Sequence, residues 1–331
     1  YGNTLNISGY NIEIGITTDI EATIKEEGEI VVSAKLFLDI VRRLPEEIVF
    51  IETDERMVTY IACGKVNYQI VGMSSVEYPD LPSFEQTDRI TLNAKILRDM
   101  IRQTVYAVSE NTAKPIYTGS LYEIEDGIFK IIAIDGYRMA IRSENVDSES
   151  KNRFVVPGKT QHEVLKLLTD DEENTEIIIG QRHITFKIKN YRIISRLIEG
   201  TFIEYKSAIP KETKTEVVIN TRTIIDAVER MSLLNNDRIQ SPVRCIFSDD
   251  EIKLSCTSAV GRANDVISVP IIGESVEIGF NNRYLLDALK NADTDEIKLI
   301  LNGSLTAMIV KPVKGDSYLS IVVPMRLANE N

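Results

Sequence analysis

Gly158-Lys159-Thr160 has the composition of a phosphate-binding loop. Such a loop needs another glycine five residues before the second, so that backbone N–H groups can turn inward on a phosphate. Arg153 stands there, and the cradle is not formed. The two histidines, His162 and His183, are 21 residues apart with no HExxH or HxH spacing, so they do not make a metal pair. Cys63, Cys245 and Cys256 lack CxxC spacing and read as buried, reduced thiols of a cytoplasmic protein. Asp170-Asp171-Glu172-Glu173 follows a helical pattern and reads as solvated loop. Neither GxSxG nor GxGxxG occurs. The expectation is a protein that does no chemistry and needs no metal or cofactor.

The elements that carry these residues recur. Ser33–Val41, Pro157–Leu165 and Asn281–Leu289 share one pattern, and Lys35, Lys159 and Arg283 follow one another at intervals of 124 residues. Such spacing marks a duplicated domain. Gly9-Tyr10, Gly136-Tyr137 and Gly261-Arg262 each follow an alternating apolar run: Leu5/Ile7, Ile132/Ile134 and Leu254/Cys256. A second helical segment, Asn93–Val108, matches Asn220–Leu234, with stripes Leu97/Ile101/Val105 and Ile225/Val228/Met231. Strand-rich tails follow at 48–81, 177–209 and 297–327, as in the period-two run Ile184–Lys189.

These repeats predict an α+β chain of three units, 1–86, 87–210 and 211–331, each with antiparallel sheets on one side and two helices on the other. The first unit is about 38 residues shorter than the second and lacks its first helix, so the numbering is expected to start inside a repeat.

Formal net charge is −12, which on its face opposes nucleic acid. The cations are nonetheless patterned. Lys35/Arg42, Lys159/Lys166 and Arg283/Lys290 are each seven apart, close to two helical turns, so each pair shares a face. On the first helix Phe37, Ile40, Val41 and Leu44 are expected on the opposite, buried face. Lys95, Arg98 and Arg102 share a face of the other helix type, and Arg222 and Arg230 lie near its equivalent. One such face is ordinary solvated surface, but recurrence in every unit points to phosphate. Twelve helices about 10 Å across, two per unit in two copies of three units, enclose an opening of about 28 Å. That passes a duplex roughly 20 Å wide with a layer of water, a loose and non-specific fit. The competing reading is a repeat-built β scaffold that binds protein and never encircles DNA.

Tyr78-Pro79-Asp80-Leu81-Pro82, Ala133–Ala140 (AIDGYRMA), Val155–Lys159 (VVPGK) and Val323–Leu327 (VPMRL) resemble, in order and spacing along the whole chain, the bacterial DNA polymerase III β subunit family, the sliding clamps. The resemblance implies a head-to-tail homodimeric ring of three-domain chains around double-stranded DNA. It implies docking of polymerase, clamp loader and repair proteins through short motifs, commonly Gln followed by apolar residues, and no membrane association.

Carried over by position, the docking pocket has Tyr117, Ile134, Gly136, Tyr137, Arg138 and Met139 from the second unit. Ile203 and Ala208 come from the connection, and Leu305, Ile321, Val323, Pro324, Met325, Arg326 and Leu327 from the third unit. Asn281 and Tyr284 form the rim, and Arg138 and Asn281 are expected to orient the peptide backbone. Relatives often have Pro, Arg and Val where Ile203, Ser207 and Ala208 stand. Ala328–Asn331 extend past the usual terminal Leu, where they would flank the pocket. The resemblance pairs Lys65, Tyr68 and Ile70 of one copy with Leu233 and Leu234 of the next. Lys114 and Lys159 join the helix cations as DNA contacts.

Overall fold

The computed structural model describes residues 2–83, 85–169, 173–235 and 241–327. The Asp170–Glu172 part of the acidic run and the Ala328–Asn331 tail lie outside them.

Unit I contains β1 (Thr4–Tyr10), β2 (Ile14–Glu21), α1 (Ala34–Val41), β3 (Val49–Thr53), β4 (Val58–Cys63) and β5 (Val66–Val71). Unit II opens with β6 (Gln86–Asn93), α2 (Ala94–Val105), β7 (Gly119–Glu125), β8 (Ile128–Ile134) and β9 (Arg138–Asn145). It closes with β10 (Asn152–Pro157), α3 (Gly158–Leu167), β11 (Asn174–Gly180), β12 (His183–Ile188) and β13 (Tyr191–Arg196). Unit III opens with β14 (Thr215–Asn220), α4 (Thr221–Ser232), β15 (Val243–Ser248), β16 (Glu251–Ser258) and β17 (Gly261–Ser268). After β18 (Ile271–Gly273) and β19 (Val276–Phe280) come α5 (Asn282–Lys290), β20 (Glu296–Leu301), β21 (Met308–Pro312) and β22 (Tyr318–Val322).

Local chemistry sets the helix starts. The side chains of Ser33, Asn93, Asn220 and Asn281 accept first-turn backbone N–H groups of α1, α2, α4 and α5. The α3 helix has no such cap and begins at Gly158. Gly158-Lys159-Thr160 is therefore a helical first turn. A Cβ at Gly158 would sit 3.0 Å from the Thr118 carbonyl oxygen, and the buried Thr160 hydroxyl bonds Ser195 Oγ at 2.6 Å. Close packing, not phosphate, explains this tripeptide.

Isolated antiparallel bridges restate the repeat: Val31 with Met73, Val155 with Ile198, Gly279 with Met325. The sheets run across the units. Strand β2 of unit I pairs with β13 of unit II, and β9 of unit II pairs with β22 of unit III. At each junction the second strand of one unit's hairpin joins the last strand of its neighbour. Strands β5 and β17 are left as edges of their own sheets.

The α2 stripe (Leu97, Met100, Ile101) and the α4 stripe (Ile225, Val228, Met231) fill the unit II and III cores. Unit I has a much smaller core, Ile40, Ile61 and Ile70, with Phe37 and Leu44 half-buried against it. Val41, expected with them, is exposed. The reason is a missing neighbour. α3 packs on α2 and α5 on α4, whereas among the described residues unit I has α1 alone, and Leu36, Leu38 and Phe50 stay exposed as well. Gly9 and Tyr10 lie at the end of β1, not in the turn that Gly136 and Tyr137 form. All three cysteines are free and buried, and burial pushes the Cys245 thiol up to about 12.

Candidate functional site

The β8–β9 turn, Asp135-Gly136-Tyr137, places the central features. Asp135 Oδ1 accepts from the backbone N–H of Tyr137 at 2.8 Å and of Arg138 at 3.0 Å, a local turn of the kind Asp favours. Gly136 has φ +97°, a conformation that L side chains rarely adopt. The turn lifts Tyr137 into solvent, where its ring stacks on Tyr284 of α5 with centroids 5.8 Å apart.

Arg138, expected to orient a bound peptide, points inward and is 6 % exposed. Its Nε donates to Asp135 Oδ2 at 2.9 Å, and its Nη1 pairs with Asp287 of α5. The guanidinium lies over the Tyr284 ring at 4.5 Å and the Tyr106 ring at 5.4 Å. A buried cation needs paired anions, and Asp135 and Asp287 supply them. Arg138 thus bolts unit II to unit III. The Asn281 side-chain oxygen caps α5 by accepting from Arg283 and Tyr284 N–H.

Beside the bolt, Tyr106 OH bonds Tyr318 OH at 3.0 Å and Ser320 Oγ at 2.8 Å. Burial pushes the Tyr106 hydroxyl up to about 12 despite those bonds. Gln103 Nε2 donates to the Asn291 carbonyl at 3.0 Å, and Arg102 pairs with Asp293. The C-terminal end of α2 thus meets the C-terminal end of α5 across the junction, with α3 packed on α2 and α4 on α5.

Of the expected pocket, Tyr117, Gly136, Tyr137, Arg138 and Tyr284 line one cleft of about 520 Å³, together with Lys114, Arg283, Glu110 and Asp135. Val323 N–H donates to the Tyr137 carbonyl at 2.8 Å, and Met325 N–H to Gly279, so the last described segment is strapped along the same junction. Leu327 packs so closely on Gly279 that a Cβ there would lie 2.6 Å from its Cδ2. Ile203, Ala208, Leu305, Val323 and Arg326 are exposed, Pro324 half-buried. Ile134, Met139 and Ile321 are buried in the β7–β9 and β22 layer, in one cluster with the partly buried Tyr117.

The cations expected to face DNA are mostly exposed but already paired. Lys166 meets Glu163 at 2.8 Å, Arg222 meets Asp226 at 2.8 Å, and Lys290 meets Glu229 at 2.6 Å. Lys159 lies 3.9 Å from Glu13, and Arg283 3.7 Å from Glu110. Arg230 is held by Asp265 of β17. Lys35, Arg42, Lys95 and Lys114 are exposed, whereas Arg98 and Arg102 are half-buried. Arg102 also serves the junction through Asp293. Ile70, expected at an interface, is 6 % exposed and part of the unit I core, on the same face of β5 as Tyr68, which is 37 % exposed, while Lys65 is exposed in the turn before the strand. Leu233 is 82 % exposed, and Leu234 packs partly on the unit III core.

Sequence reasoning missed Asp287, Tyr106, Gln103 and Asp293. Asp135 was legible as a turn-forming Asp-Gly. The Asp287 contact spans 149 residues, and no local pattern announces it.

Among the described residues, no group of three or more His, Cys, Asp and Glu side chains is placed to hold a metal ion. Comparison with known proteins gives a consistent answer. The DNA polymerase III β subunit N-terminal, central and C-terminal domain profiles match residues 1–82, 91–204 and 206–326. The chain is 33 % identical to the beta sliding clamp of Halalkalibacterium halodurans over 97 % of its own length and 89 % of that protein. With the Bacillus subtilis beta sliding clamp the identity is 32 %, over 92 % and 82 %. A putative DNA polymerase III β subunit from Eubacterium rectale superimposes with a TM-score of 0.94 at 32 % identity, covering 98 % of this chain and 88 % of that one. The Bacillus subtilis sliding clamp structure does so at 0.93 and 30 %, covering 99 % and 90 %. With all three profiles matched in order, the chain belongs to the DNA polymerase III β subunit family and has its three clamp domains.

Proposed function

We propose that two copies of this chain close head to tail around duplex DNA, in the cytoplasm, and hold replication proteins at the junction of units II and III without doing chemistry. Domain limits near residues 86 and 210 belong to this reading.

One observation carries it. The pairing of β2 with β13 recurs as β9 with β22, and β17 and β5 are the equivalent strands left at the two ends. A third repetition of the junction joins β17 of one copy to β5 of the next. A heterologous contact of this kind closes into a ring when the rotation fits. Both strands are edges able to add a partner strand, with Tyr68 exposed on β5 and Lys65 in the turn before it, and Leu233 and Val266 exposed by β17. The helices packed across the junction support a cationic lining. Its contacts with DNA are to phosphate and carry no sequence preference.

The partners are double-stranded DNA, the replicative polymerase, the clamp loader and repair proteins with short apolar motifs. The exposed apolar residues Ile203, Leu305 and Val323 beside the tyrosine cleft support such docking.

Native mass and retention on nicked circular against linear DNA test the ring. The expectation is a dimer that stays on circles and runs off linear ends. Leu233→Asp should shift it to monomer and abolish retention. Equal retention on both DNA forms would reduce the chain to a scaffold that binds without encircling.

A further inference from the structure

We infer that the cleft beneath Tyr137 and Tyr284 selects partner peptides carrying an acidic side chain beside their apolar anchors, with Lys114 and Arg283 as the selecting residues. This rests on the docking reading above and adds to it a specificity held in this chain's own charges.

The geometry is a short cationic rim on an aromatic cleft. Lys114 and Arg283 both line the cleft, and the stacked tyrosine pair lies between unit II and unit III. The anions in the cleft, Asp135 and Glu110, and Asp287 behind it differ in how available they are. Asp135 is occupied by two backbone N–H groups and the Arg138 Nε, so its charge is answered locally. Asp287 is engaged by the same guanidinium from below. Glu110 is the exception: it reaches Arg283 at 3.7 Å, with side chains 91 % and 69 % exposed. A pair that long and that solvated is held weakly and exchanges readily. Among the described residues no carboxylate lies within ion-pair distance of Lys114.

An incoming carboxylate therefore meets two accessible cations and one weakly bound internal competitor. Glu110 stands in for the partner's acid while the cleft is empty. The strap Val323–Leu327 continues the surface toward the exposed apolar residues, because Val323 is bonded to the Tyr137 carbonyl. An extended peptide lying along it can fill the apolar patch and bring a neighbouring side chain to the rim. Exposed charge pairs at an interface act on specificity more than on total affinity.

The test titrates the full chain with peptides bearing one Gln-plus-apolar motif and either Glu, Gln or Lys at each flank in turn. On one flank the Glu peptide should bind about threefold to tenfold more tightly than the Lys peptide at low salt, two exposed ion pairs being worth that much. The preference should shrink toward unity at about 0.5 M salt. Arg283→Gln with Lys114→Gln should erase it, so that the Glu, Gln and Lys peptides bind alike. Glu110→Gln should strengthen Glu-flanked binding about twofold to threefold.

Equal affinity for all flanks overturns the inference and leaves the docking reading standing. Failure of every peptide to bind removes both. Equal flanks together with Arg283-dependent capture of a single-stranded oligonucleotide would assign the cations to nucleic acid and also overturn the inference.

Discussion

Replacing Arg138 with Met tests whether the junction is held by a buried ion triad. Met keeps most of the side-chain volume and removes the charge, so the effect isolates electrostatics. Asp135 is only 10 % exposed and would lose its one cation, keeping two backbone N–H donors. Breaking a buried pair from one side costs about 3–5 kcal/mol. Asp287 is 32 % exposed and recovers water on losing its partner, so it adds little. Loss of the guanidinium over the Tyr284 ring at 4.5 Å removes about 0.5–1 kcal/mol more. Met packing and the retained backbone bonds offset part of this, leaving an expected destabilisation of about 2–4 kcal/mol. That is a large share of a domain's ~5–15 kcal/mol. Asp287→Asn alone, which leaves Arg138 with Asp135, should cost about 1 kcal/mol, and the double variant should fall short of additivity by a similar amount. Urea unfolding followed by far-UV circular dichroism and tyrosine emission reads both, since the chain has 13 Tyr and no Trp. A loss under 1 kcal/mol for Arg138→Met, or strict additivity, would refute the triad. Arg138→Ala is accordingly a poor probe of peptide contact, because lost binding would also follow from a loosened junction. Tyr137→Ala is cleaner.

Other expectations concern single buried groups. Among the described residues none is placed to hydrogen-bond the fully buried Tyr122 OH, so Tyr122→Phe should leave stability unchanged or raise it by about 1 kcal/mol in the same urea titration. Burial, then the neighbouring Arg196 and Arg182, hold the His183 imidazole below its usual pKa. Because the folded form resists protonation, His183 contributes stability above the unfolded pKa of about 6.5 that is lost as pH falls through it. His183→Gln should therefore flatten the fall in Tm between about pH 7 and 5.5, and an unchanged slope would count against that environment.

The repeat was legible because duplication copies local signals: a basic residue near the start of each helix and an apolar stripe along it. The matching segments began at Asn93, Asn220 and Asn281, and the structure shows each of these capping its helix. What stayed hidden depends on neighbours distant in sequence. Val41 has a core residue's chemistry, yet a helix side is buried only where a second helix covers it. Arg138 looked like a peptide contact because type and position matched, and only the fold brings Asp287 beneath it. Arg102 was read from its helical face alone, whereas its partner Asp293 follows the far end of α5.

The paired cations bear on how a ring would move. Lys166, Arg222 and Lys290 each hold a carboxylate within 2.8 Å on the helix surface. A phosphate approaching any of them must displace that carboxylate, so each contact returns only the difference between two exposed pairs, each worth about 0.2–1 kcal/mol. A protein that binds by affinity has no use for such competition. One that binds by topology gains from it, since weak contacts let the ring slide while closure prevents escape. Glu163→Gln, Asp226→Asn and Glu229→Gln together should therefore raise affinity for short linear duplex by about 1–3 kcal/mol, roughly 5- to 150-fold at low salt. The same variant should diffuse more slowly along DNA, with its lifetime on closed circles unchanged. Fluorescence anisotropy and single-molecule tracking measure the two, and an unaltered affinity would mean that those helix faces do not meet phosphate.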